Sequence, residues 1–346
     1  DQLDDEEEDD GSFNASHHDY YKHNPHEYYR HKALKTHHLD YTQEDFGGDV
    51  PKIDVIVKMG GAFITNKHEL HSLRADSVER AAQHIADAFK AQYRMILVHG
   101  AGSYGHFEAK KYKLMNGLYS DESTQGMVLC RAAVSILHQH VLAKLMEYRI
   151  PIISVSPNGM LTSTDGVISR RALKPFIVHI KRMIKHGFVP LIHGDIIFDE
   201  KRGCHILSGD AILETLCSVF APQRAVFWSN IDGVYDCSNL NEKQKLIQCI
   251  NVDPRGIPQL DVNVMKQLKN PQKFFKQQQD EYMQQLSKRL DEKQKTKEKQ
   301  ACKEEEEVDD KDVKEKLGKS EMLQMDSTGG MWGKIQVAAK CCAQGI

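Results

Sequence analysis

One glycine-rich stretch of the chain carries the residues best suited to chemistry. It reads Met95-Ile-Leu-Val-His-Gly-Ala-Gly-Ser-Tyr-Gly-His106, an apolar run followed by three glycines and a histidine. Gly100, Gly102 and Gly105 let the backbone turn sharply and come close to a ligand. Successive backbone N–H groups form an anion-binding concavity, and His106 adds a side-chain donor whose charge changes near neutral pH. The stretch therefore indicates a phosphate site, with an ordinary strand-to-helix turn as the alternative.

The same letters also match the G-x-G-x-x-G fingerprint of dinucleotide-binding proteins. That fingerprint needs a helix that begins at once behind it and an acidic residue about twenty positions on, at the tip of the next strand. Neither condition is met well, and we expect no helix directly behind the glycines. Asp121 and Glu122 lie at about the required distance, but they stand in a polar stretch, Tyr119 to Gln125, with no strand before it. The sequence therefore disfavours a nicotinamide cofactor.

Other glycine-bearing segments add positive charge to the predicted phosphate site. Lys58-Met-Gly-Gly-Ala62 follows an apolar run, Ser208-Gly-Asp210 precedes an apolar helical pattern, and Lys334 follows a third glycine segment. No G-x-x-x-x-G-K-[ST] is present, which excludes a P-loop protein. Phosphoryl transfer is catalysed mainly by positioning and charge neutralisation, which calls for N–H groups, lysines and Mg²⁺. The residue types present fit that chemistry.

Strands that alternate with amphipathic helices must position these segments. Short apolar runs predict strands, and apolar residues at helical spacing predict helices. Such alternation favours an α/β fold with a mostly parallel sheet covered on both faces, whose ligands bind at the carboxyl ends of the strands. The predicted strands are Ile53–Val57, Met95–Val98, Pro151–Val155, Phe188–Ile192 and Ala225–Trp228, and the predicted helices begin near Asp76 or span Arg131–Tyr148, Phe176–Lys185, Ala211–Phe220 and Ile335–Ala343.

Composition limits the classes of partner and the compartment. The chain has 346 residues, a formal net charge of -3 and eight cysteines. A near-neutral chain has no global basic field, so we expect no nucleic-acid partner. The cysteines lack C-x-x-C spacing, which favours reduced thiols and a cytosolic location. No apolar run of about eighteen residues occurs, so we expect no membrane span.

Two polar segments are predicted to lie outside the folded core. Residues 1–50 combine an acidic run with many histidines and tyrosines, and residues 270–320 mix lysine, glutamate and glutamine without an apolar stripe. Neither segment offers enough apolar surface to offset its ordering entropy. We therefore expect a disordered tail at 1–50 and a charged insertion at 270–320 that interrupts one domain, 51–346.

Taken together, the motifs resemble the amino acid kinase superfamily and, within it, the isopentenyl phosphate kinase family. The resemblance covers residues 53–346 apart from the insertion. The histidine at position 106, which closes the second glycine loop, is its sharpest marker, because it separates isopentenyl phosphate and fosfomycin-type kinases from the amino acid, carbamate and uridylate kinases. The matching segments are Lys58-Met-Gly-Gly-Ala-Phe-Ile-Thr-Asn-Lys67, Gly100–His106, Ser208-Gly-Asp210, Ile231-Asp-Gly-Val-Tyr-Asp236 and Thr328-Gly-Gly-Met331 with Lys334.

The resemblance implies an open αβα sandwich whose N-terminal half binds the acceptor and whose C-terminal half binds ATP. It implies ATP-dependent phosphorylation of isopentenyl phosphate to isopentenyl diphosphate, with Mg²⁺ held by the ATP phosphates rather than by protein ligands, in a chain that can form a homodimer. The implied catalytic residues are Lys58, His106, Asp210 and Lys334. The implied ATP-binding residues are Lys58, Gly60, Gly61, Gly102, Ser229, Asp232, Gly233, Gly330 and Lys334, and the implied acceptor-binding residues are Lys67, Ala101, Gly102, His106 and Gly209.

The chemistry of a phosphate acceptor agrees with this reading. A phosphomonoester has a second pKa of about 6, so its oxygen is already a nucleophile at neutral pH and needs no strong general base. The chain departs from the family pattern at Ala62, where serine is usual, and at Ala101, where a third glycine is usual. The family pattern also continues with further strands beyond the helix that ends near Gly345, so the sheet is expected to lack its C-terminal strands.

Two other functions remain open from the sequence. One is a catalytically impaired, kinase-like interaction protein that uses the acidic tail and the charged insertion. The other is a kinase of the same superfamily that acts on a different small phosphate or phosphonate.

Overall fold

The computed structural model describes Phe46 and residues 50–236, 245–253, 258–259 and 330–343. The predicted tail, apart from Phe46 and Val50, and the whole predicted insertion 270–320 lie outside these residues. The strands are β1 (Val55–Met59), β2 (Met95–His99), β3 (Ile152–Val155), β4 (Thr162–Ser163), β5 (Val189–His193), β6 (Asp195–Asp199), β7 (Gly203–Leu207), β8 (Arg224–Trp228), β9 (Tyr235–Asp236), β10 (Lys245–Leu246), β11 (Asn251–Val252) and β12 (Pro258–Gln259). The helices are α1 (Gly61–Ile64), α2 (Ala75–Lys90), α3 (Gly102–Lys111), α4 (Asp121–Glu147), α5 (Arg170–Lys185), α6 (Gly209–Phe220) and α7 (Gly330–Ala343).

The main sheet has five strands in the order β3-β5-β2-β1-β8. Every neighbouring pair in it is parallel. Because all five strands run the same way, their carboxyl ends share one edge, and Gly60, Gly100, Gly194 and Ser229 follow directly at that edge. The predicted α/β class with a mostly parallel sheet is confirmed.

Helices cover both faces of this sheet, so its strands read as continuous apolar runs. On one face, Ile56 and Val98 pack with residues of α5 and α6. On the other face, Val57 and Leu97 pack with residues of α2 and α4. Alternate residues of β1 and β2 thus enter two separate hydrophobic clusters, and the three layers form the expected αβα sandwich.

Two helices begin earlier than the sequence predicted. Helix α4 begins at Asp121 rather than Arg131, since Ser120 and Ser123 form a reciprocal capping box at its start. Helix α5 begins at Arg170 rather than Phe176, because the Ser169 side chain caps it and Pro175 is accommodated inside it. Capping serines in polar stretches were the signals that we overlooked.

A small second sheet was not predicted. Strands β6 and β7 pair antiparallel, and β4 lies parallel to β6. The carboxylate of Asp199 joins them, because it accepts hydrogen bonds from the Ser163 hydroxyl (2.7 Å) and from the backbone N–H of Gly166 (2.7 Å) and Arg202 (2.8 Å). These hydrogen bonds lower the pKa of Asp199 to about 2 despite its partial burial. Two further antiparallel pairs, β9 with β10 and β11 with β12, follow β8.

One residue changes the predicted N-terminal boundary of the fold. Phe46 falls within the predicted tail, yet its side chain is buried in the core, and its carbonyl oxygen accepts a hydrogen bond from the buried Lys181 ammonium (2.7 Å). The folded part therefore includes Phe46.

Among the described residues, α4 is the one helix long and apolar enough to cross a membrane, but Leu137 and Val141 on it are buried in the protein core.

Candidate active site

Three glycines extend the sheet by one residue beyond its strands. The backbone N–H of Gly60 donates to the carbonyl oxygen of Trp228 (2.8 Å), that of Gly100 to Met59 (3.0 Å), and that of Gly194 to His99 (2.8 Å). These hydrogen bonds hold the ends of β8, β1, β2 and β5 together at the carboxyl edge. The edge is therefore lined by the backbone of three residues that carry no side chain of their own.

Two of the glycine segments touch each other so closely that side chains are excluded. A Cβ atom added to Gly61 would lie 2.5 Å from the backbone nitrogen of Gly102, and one added to Gly100 would lie 2.8 Å from that of Gly61. Gly102 has φ +53°, and a Cβ there would lie 2.2 Å from Oγ1 of Thr65. The Thr65 hydroxyl donates to the Gly61 carbonyl (2.8 Å) and accepts from the Ser103 N–H (2.9 Å). Thr65 thereby joins the two segments.

A buried ion pair lies at the same edge. The Lys58 ammonium in β1 is 3.0 Å from Oδ1 of Asp210, and the two side chains are only 5% and 13% exposed. Asp210 lies in the first turn of α6, where a carboxylate interacts favourably with the helix dipole, and Ser208 caps that helix. Gly209 sits against the end of β2, since a Cβ there would lie 3.1 Å from the His99 carbonyl. The structure thus brings Lys58, Gly209 and Asp210 together with the glycine row.

The second glycine segment is shorter than the sequence suggested. Helix α3 begins at Gly102, so His106 is inside a helix and half-buried rather than at the end of a loop. His106 lies four residues after Gly102, so both residues are on the same face of α3. Gly105 serves packing, because a Cβ there would lie 2.7 Å from Cβ of Ala101 and 3.0 Å from Val134 of α4.

This helix also corrects one argument against a dinucleotide site. We expected no helix directly after the fingerprint, and α3 begins there. The second argument stands, since Asp121 and Glu122 lie in the first turn of α4 and not at the tip of a strand.

The remaining predicted residues are more dispersed. Lys67 is exposed on the loop after α1, and that loop is tied to α3 by the hydrogen bond between His71 Nε2 and Glu108 Oε1 (2.8 Å). Ser229 follows β8 and is half-buried, whereas Asp232 is exposed and accepts a hydrogen bond from the Tyr235 hydroxyl (3.2 Å). Gly233 lies half-buried on the same turn.

Helix α7 begins at Gly330, earlier than the predicted Ile335, so Gly330 and Lys334 belong to the helix itself. Lys334 is half-buried. Helix α7 packs against α6, which carries Asp210, and the Lys340 ammonium lies 2.6 Å from Oε1 of Glu214. The helix that bears Lys334 is therefore attached to the helix that bears Asp210.

Sequence reasoning missed a cluster of buried histidines beneath the glycine row. His99 ends β2, His193 ends β5 and His138 lies on α4, with ring centroids 4.5 to 5.7 Å apart. Burial lowers the pKa of His99 to about 4, that of His138 to about 2 and that of His193 to about 3. All three rings are therefore neutral at physiological pH. Histidine as the last residue of two apolar strands was the one available signal.

A carboxyl group lies next to this cluster. Asp195 is buried, and burial raises its pKa to about 6, although the nearby Arg131 guanidinium acts in the opposite direction. The Arg131 Nε lies 3.3 Å from Oδ1 of Asp195, and Nδ1 of His193 lies 3.7 Å from Oδ2. Within the described part of the chain, no three histidine, cysteine or carboxylate side chains meet as a candidate metal site.

Comparison with known proteins places the chain in a family. The amino acid kinase family profile matches residues 55–254. Isopentenyl phosphate kinase of Methanocaldococcus jannaschii is 32% identical over 52% of this chain and 70% of that protein. Isopentenyl phosphate kinase of Arabidopsis thaliana is 30% identical over 53% of this chain and 65% of that protein.

A solved structure, the product complex of T. acidophilum isopentenyl phosphate kinase, is 26% identical and covers 53% of this chain and 72% of that chain, with a TM-score of 0.47. The family assignment rests on the sequence matches, which agree with the resemblance that the motifs predicted. The chain belongs to the amino acid kinase family and is a phosphotransferase.

Proposed function

We propose that this protein transfers the γ-phosphoryl group of ATP to isopentenyl phosphate and so forms isopentenyl diphosphate. The observation that carries the proposal is the junction of the Gly60–Gly61 and Gly100–Gly102 segments beside the buried Lys58–Asp210 pair. It combines close backbone approach with a fixed positive charge, which suits two phosphate groups that repel each other. The curated relatives named above carry the same activity in their names.

The chain's own residues would act by holding phosphate groups in line. An oxygen of the acceptor phosphate forms the new bond to the γ-phosphorus, the bond from that phosphorus to the β–γ bridging oxygen breaks, and ADP leaves with the electron pair. In this proposal Lys58 and Lys334 offset the negative charge on the moving group, and Asp210 orients Lys58. Gly61 supplies a backbone donor, whereas Gly60, whose N–H is bonded to the Trp228 carbonyl, lets the ATP phosphates come close to the backbone. Mg²⁺ bound to the ATP phosphates would offset further charge.

The nucleotide itself would lie toward β8 and the segments that follow it. Ser229, Asp232 and Gly233 would border it, and Gly330 at the start of α7 would lie near its phosphates. The attachment of α7 to α6 supports this proposal, because it connects the helix of Lys334 to the helix of Asp210. Asp210 is engaged by Lys58, which agrees with a metal ion held by ATP rather than by protein carboxylates.

The acceptor phosphate would lie at the start of α3. No described residue accepts a hydrogen bond from the backbone N–H of Ala101 or Gly102. Such N–H groups at the start of a helix favour an anion. His106 would add a side-chain hydrogen bond from the same face of α3, Gly209 would border the phosphate, and Lys67 would approach from the loop after α1. We carry the cytosolic location and the homodimer over as proposals as well.

A turnover assay with several acceptors tests the proposal. We expect ATP-dependent formation of a diphosphate from isopentenyl phosphate, with dimethylallyl phosphate and longer prenyl phosphates measured in parallel to define chain-length preference. A charge-assisted hydrogen bond contributes about 1.5–3 kcal/mol, so His106→Ala should lower kcat/KM for isopentenyl phosphate by roughly ten- to several-hundred-fold.

His106→Gln is the matched control, because an amide can still donate a hydrogen bond and should recover part of the loss. The KM for ATP should stay nearly unchanged in both variants. Full turnover of His106→Ala together with a lower melting temperature would make the histidine structural. Turnover only with another phosphate or a phosphonate would instead assign the chain to a different acceptor.

A further inference from the structure

The buried histidines form a hydrogen-bond chain whose direction follows from the atoms at its inner end. Nδ1 of His99 lies 3.0 Å from the carbonyl oxygen of Gly100, and a carbonyl oxygen only accepts hydrogen bonds. Nδ1 of His99 therefore carries the proton. Because this ring is neutral, its other nitrogen, Nε2, is an acceptor.

The same reasoning extends the chain outward through two more side chains. Nε2 of His99 lies 2.9 Å from Nδ1 of His138, so Nδ1 of His138 is the donor. Nε2 of His138 is then an acceptor, and it lies 2.6 Å from the hydroxyl oxygen of Ser154 in β3. The chain runs Ser154 to His138 to His99 to the Gly100 carbonyl, with every donor matched to one acceptor.

The inner end of this chain controls a peptide unit of the proposed acceptor site. A trans peptide is planar, so its carbonyl oxygen and the N–H of the next residue point in opposite directions. Holding the Gly100 carbonyl toward His99 therefore directs the Ala101 N–H away from the histidine cluster. Gly100 has a close neighbour on the other side as well, since a Cβ there would lie 2.8 Å from the Gly61 nitrogen.

A second histidine repeats the arrangement on the next strand. Nδ1 of His193, which ends β5, lies 3.1 Å from the carbonyl oxygen of Gly194. Gly194 in turn donates its N–H to the carbonyl oxygen of His99 (2.8 Å) and packs against the backbone nitrogen of Gly209. Two neighbouring strand ends thus each have a histidine that holds the carbonyl of the glycine behind it.

We propose that His99 and His138 are positioning residues that orient the Gly100–Ala101 peptide, so that the Ala101 N–H meets the acceptor phosphate. The proposal rests on the proposed function, since it concerns the same phosphate site. Neither histidine touches the substrate or takes a proton from it. Their contribution is the direction of one backbone donor, which depends on an uninterrupted sequence of donors and acceptors from Ser154 inward.

Two amide variants of one residue separate this role from packing. In His138→Asn the amide nitrogen takes the place of Nδ1 and can still donate to His99. In His138→Gln the amide reaches the place of Nε2, so it can bond to Ser154 but leaves Nε2 of His99 without its donor. We expect His138→Gln to lower kcat/KM for isopentenyl phosphate by about ten-fold relative to His138→Asn, with equal KM for ATP in the two variants.

Equal kcat/KM values in the two amide variants would overturn the proposal, because a packing role does not depend on which end of the ring is replaced. A second measurement covers the case in which these variants fold poorly. The full chain with ¹⁵N-labelled histidine should show His99 and His138 as neutral rings protonated at Nδ1, and protonation at Nε2 in either ring would overturn the proposal.

The spectrum needs no substrate, so it also separates the two proposals. A wild-type chain that shows the expected tautomers but does not phosphorylate isopentenyl phosphate would count against the proposed substrate alone. The amide variants would then be compared on the acceptor that the wild-type chain does use.

Discussion

The ion pair between Lys58 and Asp210 offers the sharpest test of whether the charges of the site, and not only its packing, contribute to stability and turnover. Both side chains are almost fully buried and lie 3.0 Å apart. Removing one partner of a buried pair leaves an uncompensated charge and costs about 3–5 kcal/mol of unfolding free energy. For a domain of this size, each kcal/mol lowers Tm by roughly 2–4 °C, so Lys58→Met or Asp210→Asn should lower Tm by on the order of 10 °C.

Combining the two changes separates stability from catalysis. The double variant Lys58→Met/Asp210→Asn removes both charges, so we expect it to be more stable than the sum of the two single losses predicts, by about 1–3 kcal/mol. Turnover should not return with stability. Loss of one group that stabilises transition-state charge costs about 10²–10³-fold in kcat, and the double variant still lacks the Lys58 ammonium.

Urea melts of the four proteins, together with kcat measured well below each melting temperature, form the assay. Additive losses of stability within about 0.5 kcal/mol would show that the two residues are not energetically coupled, against the geometry of the pair. Near wild-type kcat in Lys58→Met would refute the proposed role of Lys58 in charge neutralisation, whatever happened to stability.

Three further predictions follow from the described contacts. Gly102→Ala should lower the free energy of unfolding by about 2 kcal/mol or more in urea melts, because it combines positive φ with a clash at Thr65, and an unchanged value would contradict the geometry. Below about pH 6.5 the buried histidines take up protons only when the chain unfolds, so the free energy of unfolding should fall from pH 7 to pH 5. The fall should be less steep in His138→Asn. The raised pKa of Asp195 acts in the opposite direction and offsets part of the fall. Ile136 is 51% exposed on α4, which carries other exposed apolar residues, so we expect a homodimer through this face. Ile136→Glu should therefore raise the dimer Kd, measured by sedimentation, at least about ten-fold. An unchanged Kd would place the interface elsewhere.

Much of the fold could be predicted from local patterns. The apolar runs of β1, β2 and β5 are buried on both faces, which makes each of them a continuous hydrophobic signal. The edge strands β3 and β8 are only partly buried, but their short apolar runs were also sufficient to predict them. The apolar spacing of α2 and the serine before α6 identified helices for the same reason, since periodicity and capping are properties of neighbouring residues. The prediction that glycine segments follow the ends of strands came from this order.

Helix starts in polar stretches were harder to predict from the sequence, because a helix cap depends on two or three polar residues of the types that also occur in loops. The start of α3 at Gly102 belongs to this group, and with it the position of His106 inside a helix. Gly105 looked like part of a phosphate loop. The structure shows instead that α4 can pack this closely only because residue 105 has no side chain. No local pattern distinguishes a glycine that admits a ligand from one that admits a helix.

The sequence by itself determined the order of the main-sheet strands and their helices and the types of group available for phosphate chemistry, because each depends on residues close together in the chain. The family followed from several such short motifs taken together. The tertiary structure alone decided which of those groups meet. His99 and His138 are 39 residues apart, and Lys58 reaches Asp210 only because β1 and the start of α6 lie at one edge of the sheet. Such contacts depend on the packing of whole layers, and the neutral state of the histidines follows from the burial that this packing produces.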